Sequence, residues 1–190
     1  MFTGHFGLAA GVRAKAPEVP LWALMVGTQL LDIAFVPLLL TGAETMDQSH
    51  GTGYGEAIIH ADYTHSLLGA LILAFIAGWL GRRQWGRRAG VILGAVVFSH
   101  WVLDLLVHRA DLPLLPGNWG NLPLLGLGIW KYEWLSAGLE LLLLVVGFAM
   151  YVRSIPRTSQ GKSRNAAYLS AAVLGVLLIL FLITDVAGLF

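Results

Sequence analysis

The chain has 190 residues, 57% of them hydrophobic and 12% charged, with a net charge of +1 and no cysteine. A soluble domain carries about 25% charged residues, so water is not the main solvent of this chain. The missing cysteine excludes disulfides, thiolate metal sites and cysteine nucleophiles, and basic residues scattered among loops give no face for nucleic acid.

An all-α integral membrane bundle is expected, a single domain over residues 1–190 with about five transmembrane helices. The first segment, residues 1–15, is apolar but too short to cross a hydrocarbon core of about 30 Å. It reads as a re-entrant half-helix with its N-terminus inside the protein, which the bilayer tolerates only where protein satisfies the backbone. Nothing in it reads as a cleavable leader. Spans follow at about 20–41, 64–80, 89–108, 132–152 and 166–189, each roughly the 20 residues a crossing needs. Punctuation marks their ends: Pro17 and Pro20 before the first, Gly81-Arg82-Arg83 after the second, Pro113 and Pro116 after the third. The Gly-rich stretch from Gly42 to Gly55 reads as a loop.

Basic residues set the orientation. With the N-terminal side cytoplasmic, that face receives Arg13, Lys15, Arg82, Arg83, Arg87, Arg88, Arg153, Arg157, Lys162 and Arg164, ten of the twelve Lys and Arg. Arg109 and Lys131 remain on the other face, together with Glu44, Asp47, His50, Glu56, His60, Asp62 and Asp111. Positive residues concentrate on cytoplasmic loops, so a plasma (inner) membrane protein with a cytoplasmic N-terminal side is expected.

Ionisable groups inside spans are costly and are functional candidates by default. Here they are Asp32, His65, His100, Asp104 and Glu140. At about 1.5 Å per residue they stand roughly 17 to 23 Å from the cytoplasmic ends of their helices, at one level. His100, Asp104 and His108 are spaced i, i+4, i+8 on one helix face. His5, carried by the half-helix, comes within about a turn of Asp32 by the same count. Nitrogen and oxygen donors without sulfur suit Zn²⁺, with Fe²⁺ or Mn²⁺ as alternatives. Structural readings compete: a lone Asp can bond a neighbouring helix, and Asp62 or Thr64 can cap the second span.

These residues carry a resemblance. Gly4-His5-Phe6-Gly7-Leu8-Ala9-Ala10-Gly11, Leu31-Asp32-Ile33, His60-Ala61-Asp62-Tyr63-Thr64-His65-Ser66-Leu67 and Ser99-His100-Trp101-Val102-Leu103-Asp104 resemble, in order and spacing, the YdjM-like membrane-bound metal-dependent hydrolase family. That family is similar in motif order to zinc-dependent phospholipase C, in which a helical bundle holds zinc with His and Asp. Where many relatives read Asp-Ile-Asp-His and His-Arg-Gly, this chain reads Asp32-Ile33-Ala34-Phe35 and His60-Ala61-Asp62. A ligand to a second metal is therefore missing, or Asp62 or Glu140 replaces it.

The expectation is a zinc-type hydrolase acting on an amphiphilic or phosphoester substrate among membrane lipids, with its site in the outer half of the bilayer. Asp32, His65, His100 and Asp104 hold the metal, with His5 and His60 as further ligands or as partners of the ligands; Glu140 or Asp62 acts as general base, or Asp62 orients a ligand imidazole. Two rivals stand beside it: a di-iron oxidase or hydroxylase, from the His60-x4-His65 spacing, and an ion- or proton-coupled transporter relaying cations through Asp32, Asp104 and Glu140.

Overall fold

A computed structural model describes residues 2–47, 58–158 and 161–187. His50, Glu56 and most of the Gly-rich stretch lie outside them. The architecture is an all-α membrane bundle. Its helices are α1 (Phe2–Lys15), α2 (Leu21–Thr28), α3 (Leu30–Thr41), α4 (Leu67–Trp85), α5 (Arg87–Val107), α6 (Glu133–Thr158) and α7 (Gly161–Val186). Four of them, α4 to α7, are long and apolar enough to cross a membrane, and α2 with α3 makes a fifth span if counted as one.

The first expected span is broken. Gln29 leaves helical geometry at φ −109°, ψ 9°, and α2 and α3 meet at 50°. A break inside the hydrocarbon leaves carbonyls that need partners, and one of them serves the site described below. Gly42, at φ 75°, ends α3 in the left-handed conformation and returns its N–H to the last turn. Beyond it lies a departure from the all-α pattern, a short antiparallel pair of β1 (Thr45–Asp47) and β2 (Ile58–His60), in which Thr45 faces His60.

The second span begins at Leu67, three residues later than expected. Ser66 is its cap, with Oγ accepting from Gly69 N at 3.0 Å, so neither Asp62 nor Thr64 takes that place. Two further first-turn N–H groups, of Leu67 and Leu68, reach the carbonyls of Pro113 and Leu114. Freed from the helix, residues 62–65 form a turn that carries His65 towards the bundle interior. At its far end α4 runs on to Trp85, because Arg82 and Arg83 suit a helix C-terminus, and Gly86 at φ 91° stops it.

Alanines on α4 (Ala70, Ala74, Ala77) pack against Leu93, Val97 and Trp101 of α5, with Leu31 of α3. Small residues of this kind let helix backbones approach, the usual basis of packing in lipid. A second core joins Ala9 of α1 to Val19, Ala23, Leu24, Ala89 and Val96. Outward faces are apolar instead: Phe75, Val91 and Leu169 are exposed, as expected where lipid is the solvent.

α1 is buried nearly all round, and at about 1.5 Å per residue it is roughly 21 Å long, too short to cross. It lies so close to α6 that a Cβ on Gly147 would fall 1.8 Å from the carbonyl oxygen of Gly7. Only glycine fits that crossing.

Candidate metal centre

Each helix discontinuity supplies one side chain. Asp32 is two residues past the start of α3, His65 precedes the cap of α4, and His5 lies in the first turns of α1. His100 and Asp104 come from the uninterrupted middle of α5. Their donor atoms converge. Nε2 of His65 lies 3.3 Å from Nε2 of His100, 3.3 Å from Oδ1 of Asp32 and 3.7 Å from Oδ2 of Asp104. Nε2 of His100 lies 3.6 Å from Asp32 Oδ1 and 3.0 Å from Asp104 Oδ2. His5 stacks flat on His100 at 4.0 Å between ring centroids and sets Nε2 3.2 Å from Asp104 Oδ1.

The far sides of two rings fix which nitrogen carries the proton. Nδ1 of His100 faces the carbonyl oxygen of Thr28, the last residue of α2, so this nitrogen must be the donor. Nδ1 of His65 lies 2.9 Å from Thr64 Oγ1, and that hydroxyl is 3.0 Å from both carboxylate oxygens of Glu44. The Thr64 hydroxyl donates to Glu44 and accepts from His65. In their neutral forms His65 and His100 would both turn the lone pair of Nε2 inward, at 3.3 Å from each other and beside two carboxylates. Four electron-rich atoms at this spacing repel unless a positive centre, a proton or a metal ion, lies among them.

The spacing suits a metal ion: donors at about 2.0–2.1 Å from one centre stand about 3.3 Å apart in tetrahedral geometry, and the five separations above run from 3.0 to 3.7 Å, with Asp32 and Asp104 approaching His100 in two separate groups. Carbonyl and hydroxyl partners on the outer nitrogens also match the way proteins orient metal-binding imidazoles. Among the described residues two groups can hold a metal ion: His5, His100 and Asp104, and Asp32, His65 and His100.

The remaining candidates stand apart from these groups. His60 is exposed on β2, paired with Thr45. Asp62 is half-buried, and its backbone carbonyl accepts from Gly117 N. Glu140 is fully buried, and its Oε2 accepts from Thr3 N at 3.0 Å, Thr3 Oγ1 at 2.6 Å and Gly4 N at 3.1 Å. Free N–H groups at a helix start attract a carboxylate, so Glu140 fastens the half-helix that delivers His5. The mid-span position of Glu140 was legible in sequence; its partner at the other end of the chain was not.

One residue was missed, and a second, His108, was read on the right helix face without a role. Glu44, in the stretch read as loop, is buried and accepts from Tyr63 N and Thr64 N at 2.8 Å as well as from the Thr64 hydroxyl. His108, on the face of His100 and Asp104, sets Nδ1 3.0 Å from Asp111 Oδ1 and Nε2 4.0 Å from Asp104 Oδ2. Its i, i+8 spacing from His100 was the available signal.

The helices and the cluster together define a polytopic membrane protein whose His and Asp groups can hold a metal ion. The chain belongs to the YdjM inner membrane protein family, whose model matches residues 2–187. The curated proteins and the solved structures yielded no match.

Proposed function

We propose that this protein is a membrane-embedded, metal-dependent hydrolase of the inner membrane, with zinc held by Asp32, His65, His100 and Asp104 and with His5 at the edge of the site. The observation that carries this reading is the convergence of donor atoms from Asp32, His65, His100 and Asp104, with the outer nitrogens of both imidazoles already committed. Iron or manganese would suit the same donors less specifically. Family membership supports the membrane setting, and the resemblance in motif order supports the reaction class.

A divalent cation bound there supplies Lewis acidity and lowers the pKa of a water towards about 7. Phosphoester hydrolysis adds a water oxygen to phosphorus, breaks the bond to the alcohol oxygen, and moves a proton from the water to that oxygen. Of the two carboxylates expected as base, Glu140 is engaged at the start of α1 and Asp62 is outside both donor groups. His108 is better placed. Asp111 holds it through Nδ1, which leaves Nε2 turned towards Asp104 to take and return the proton.

Elemental analysis of protein purified in detergent tests this reading, together with hydrolysis of bis(p-nitrophenyl) phosphate. Stoichiometric zinc is expected, lost in His100→Ala and in Asp104→Ala while both remain monodisperse, with activity following the metal. Wild-type metal content in both variants would place the site elsewhere. Iron would favour an oxidase, and no stoichiometric metal a cation-coupled transporter.

A further inference from the structure

We infer that the metal centre opens sideways, along one flank of α3 into the bilayer, and that its substrate is a lipid-phase phosphoester whose chain stays among the lipids during reaction. This rests on the hydrolase reading for the chemistry, while the route rests on exposure alone.

Four of the cluster side chains are sealed. Those of His5, His65, His100 and Asp104 are 1 to 5% exposed. That of Asp32 is 40% exposed, although its Oδ1 takes part in the cluster. Asp32 therefore forms the mouth of the site, and the mouth faces whatever covers this side of α3.

The helix itself says what that is. Leu31 and Phe35 point inward and are buried, and the Phe35 ring lies edge-on to His65. Val36 and Leu40, spaced i+4 and i+8 from Asp32, share its face and are 51% and 81% exposed, with Ile33 beside them at 49%. An apolar stripe of this kind is the lipid-facing side of a span. Asp32 stands nine residues before Thr41 at the end of α3, about 14 Å along the axis, so the stripe separates it from the outer membrane surface.

An exposed carboxylate at such a position is costly in hydrocarbon. A cation on its inner oxygen would relieve that cost and would also offset the negative charge of a phosphoester arriving from outside. A water-soluble substrate would have to cross the Val36 and Leu40 stripe, whereas a lipid already lies against it.

The chain has no cysteine, so single cysteines can carry spin labels at chosen positions. Labels at Asp32→Cys, Val36→Cys and Thr45→Cys would be compared in phosphatidylcholine/phosphatidylglycerol vesicles for collision with molecular oxygen and with a water-soluble nickel chelate. Thr45 is exposed on β1 and serves as the aqueous reference. The label at position 32 should behave like that at 36, favouring oxygen. Behaviour like that at 45 would overturn the lateral opening, whether or not the protein binds metal.

A second measurement keeps every ligand intact. From zinc-loaded protein in the same vesicles, lipophilic 1,10-phenanthroline should remove metal several-fold faster than EDTA. Val36→Trp should slow phenanthroline alone. Equal rates for the two chelators, unaffected by Val36→Trp, would overturn the proposal, whereas failure of the wild type to load zinc would overturn the metal reading on which its chemistry depends.

Discussion

Replacing Thr64 by Val isolates the contact that fixes His65. The change keeps the branched shape and removes the hydroxyl that accepts from His65 Nδ1 at 2.9 Å and donates to Glu44. Thr64 is buried, as is Glu44, so bulk water does not stand in for the missing group. Glu44 still receives the N–H groups of Tyr63 and Thr64, which keeps the turn in place. His65 then has two options, both unfavourable. Either Nδ1–H stays buried without a partner, at a cost of about 1–3 kcal/mol, or the proton moves to Nε2 and closes the lone pair turned to the cluster. Loss of an outer partner of a metal-binding histidine typically lowers affinity about 10- to 100-fold, which corresponds to about 1.4–2.8 kcal/mol. Competition titration of zinc against a fluorescent chelator in detergent measures this directly. Thr64→Val should bind zinc within that weaker range, and Thr64→Ser, which restores the hydroxyl, should return most of the affinity. Wild-type affinity in Thr64→Val, or equal loss in the Val and Ser variants, would refute the assignment of the His65 proton.

Glu140→Gln should lower thermal stability by about 1–3 kcal/mol, since a buried carboxylate accepting three hydrogen bonds is weakened, and should loosen metal binding less than His100→Ala does; unchanged stability would show that α1 is held by packing at Gly7 and Gly147 instead. For orientation, cysteine at Thr45 should react with an impermeant maleimide in intact cells and cysteine at Arg83 only after lysis, as expected if the ten basic residues lie on the cytoplasmic side; the reverse pattern would invert the topology.

Much of the fold was legible because lipid imposes simple requirements. Length and hydropathy mark a span whatever its neighbours are, so α4 to α7 were visible from composition. The break at Gln29 was not. No proline stands there, and Gly27, Thr28 and Gln29 are each tolerated within a continuous helix; the bend accompanies the partners that Thr28 and Asp32 find on α5 and in the turn before α4. The start of α4 was misplaced for a related reason. Asp62, Thr64 and Ser66 are all competent caps, and the choice of Ser66 follows from the carbonyls of Pro113 and Leu114 arriving at the same helix end.

The site divides along the same line. His100 and Asp104 lie on a continuous helix, where a spacing of four is a statement about direction in space, and their convergence could be read from sequence. Asp32, His65 and His5 are brought to them by a broken helix, a turn and a half-helix, whose directions depend on tertiary partners. Depth counting put Asp32 and His65 at one level, while His60 entered as a further ligand with the motif resemblance; five positions apart, His65 is sealed in the cluster and His60 is exposed on β2. The difference between them is Glu44. By taking the N–H groups of residues 63 and 64 and, through Thr64, the proton of His65, this one carboxylate turns the chain inward between β2 and α4. A regular helix at that point would send successive side chains around its axis and bring at most one face to the site. The irregular turn aims a single imidazole, and the buried acid that makes the turn also orients that ring's proton.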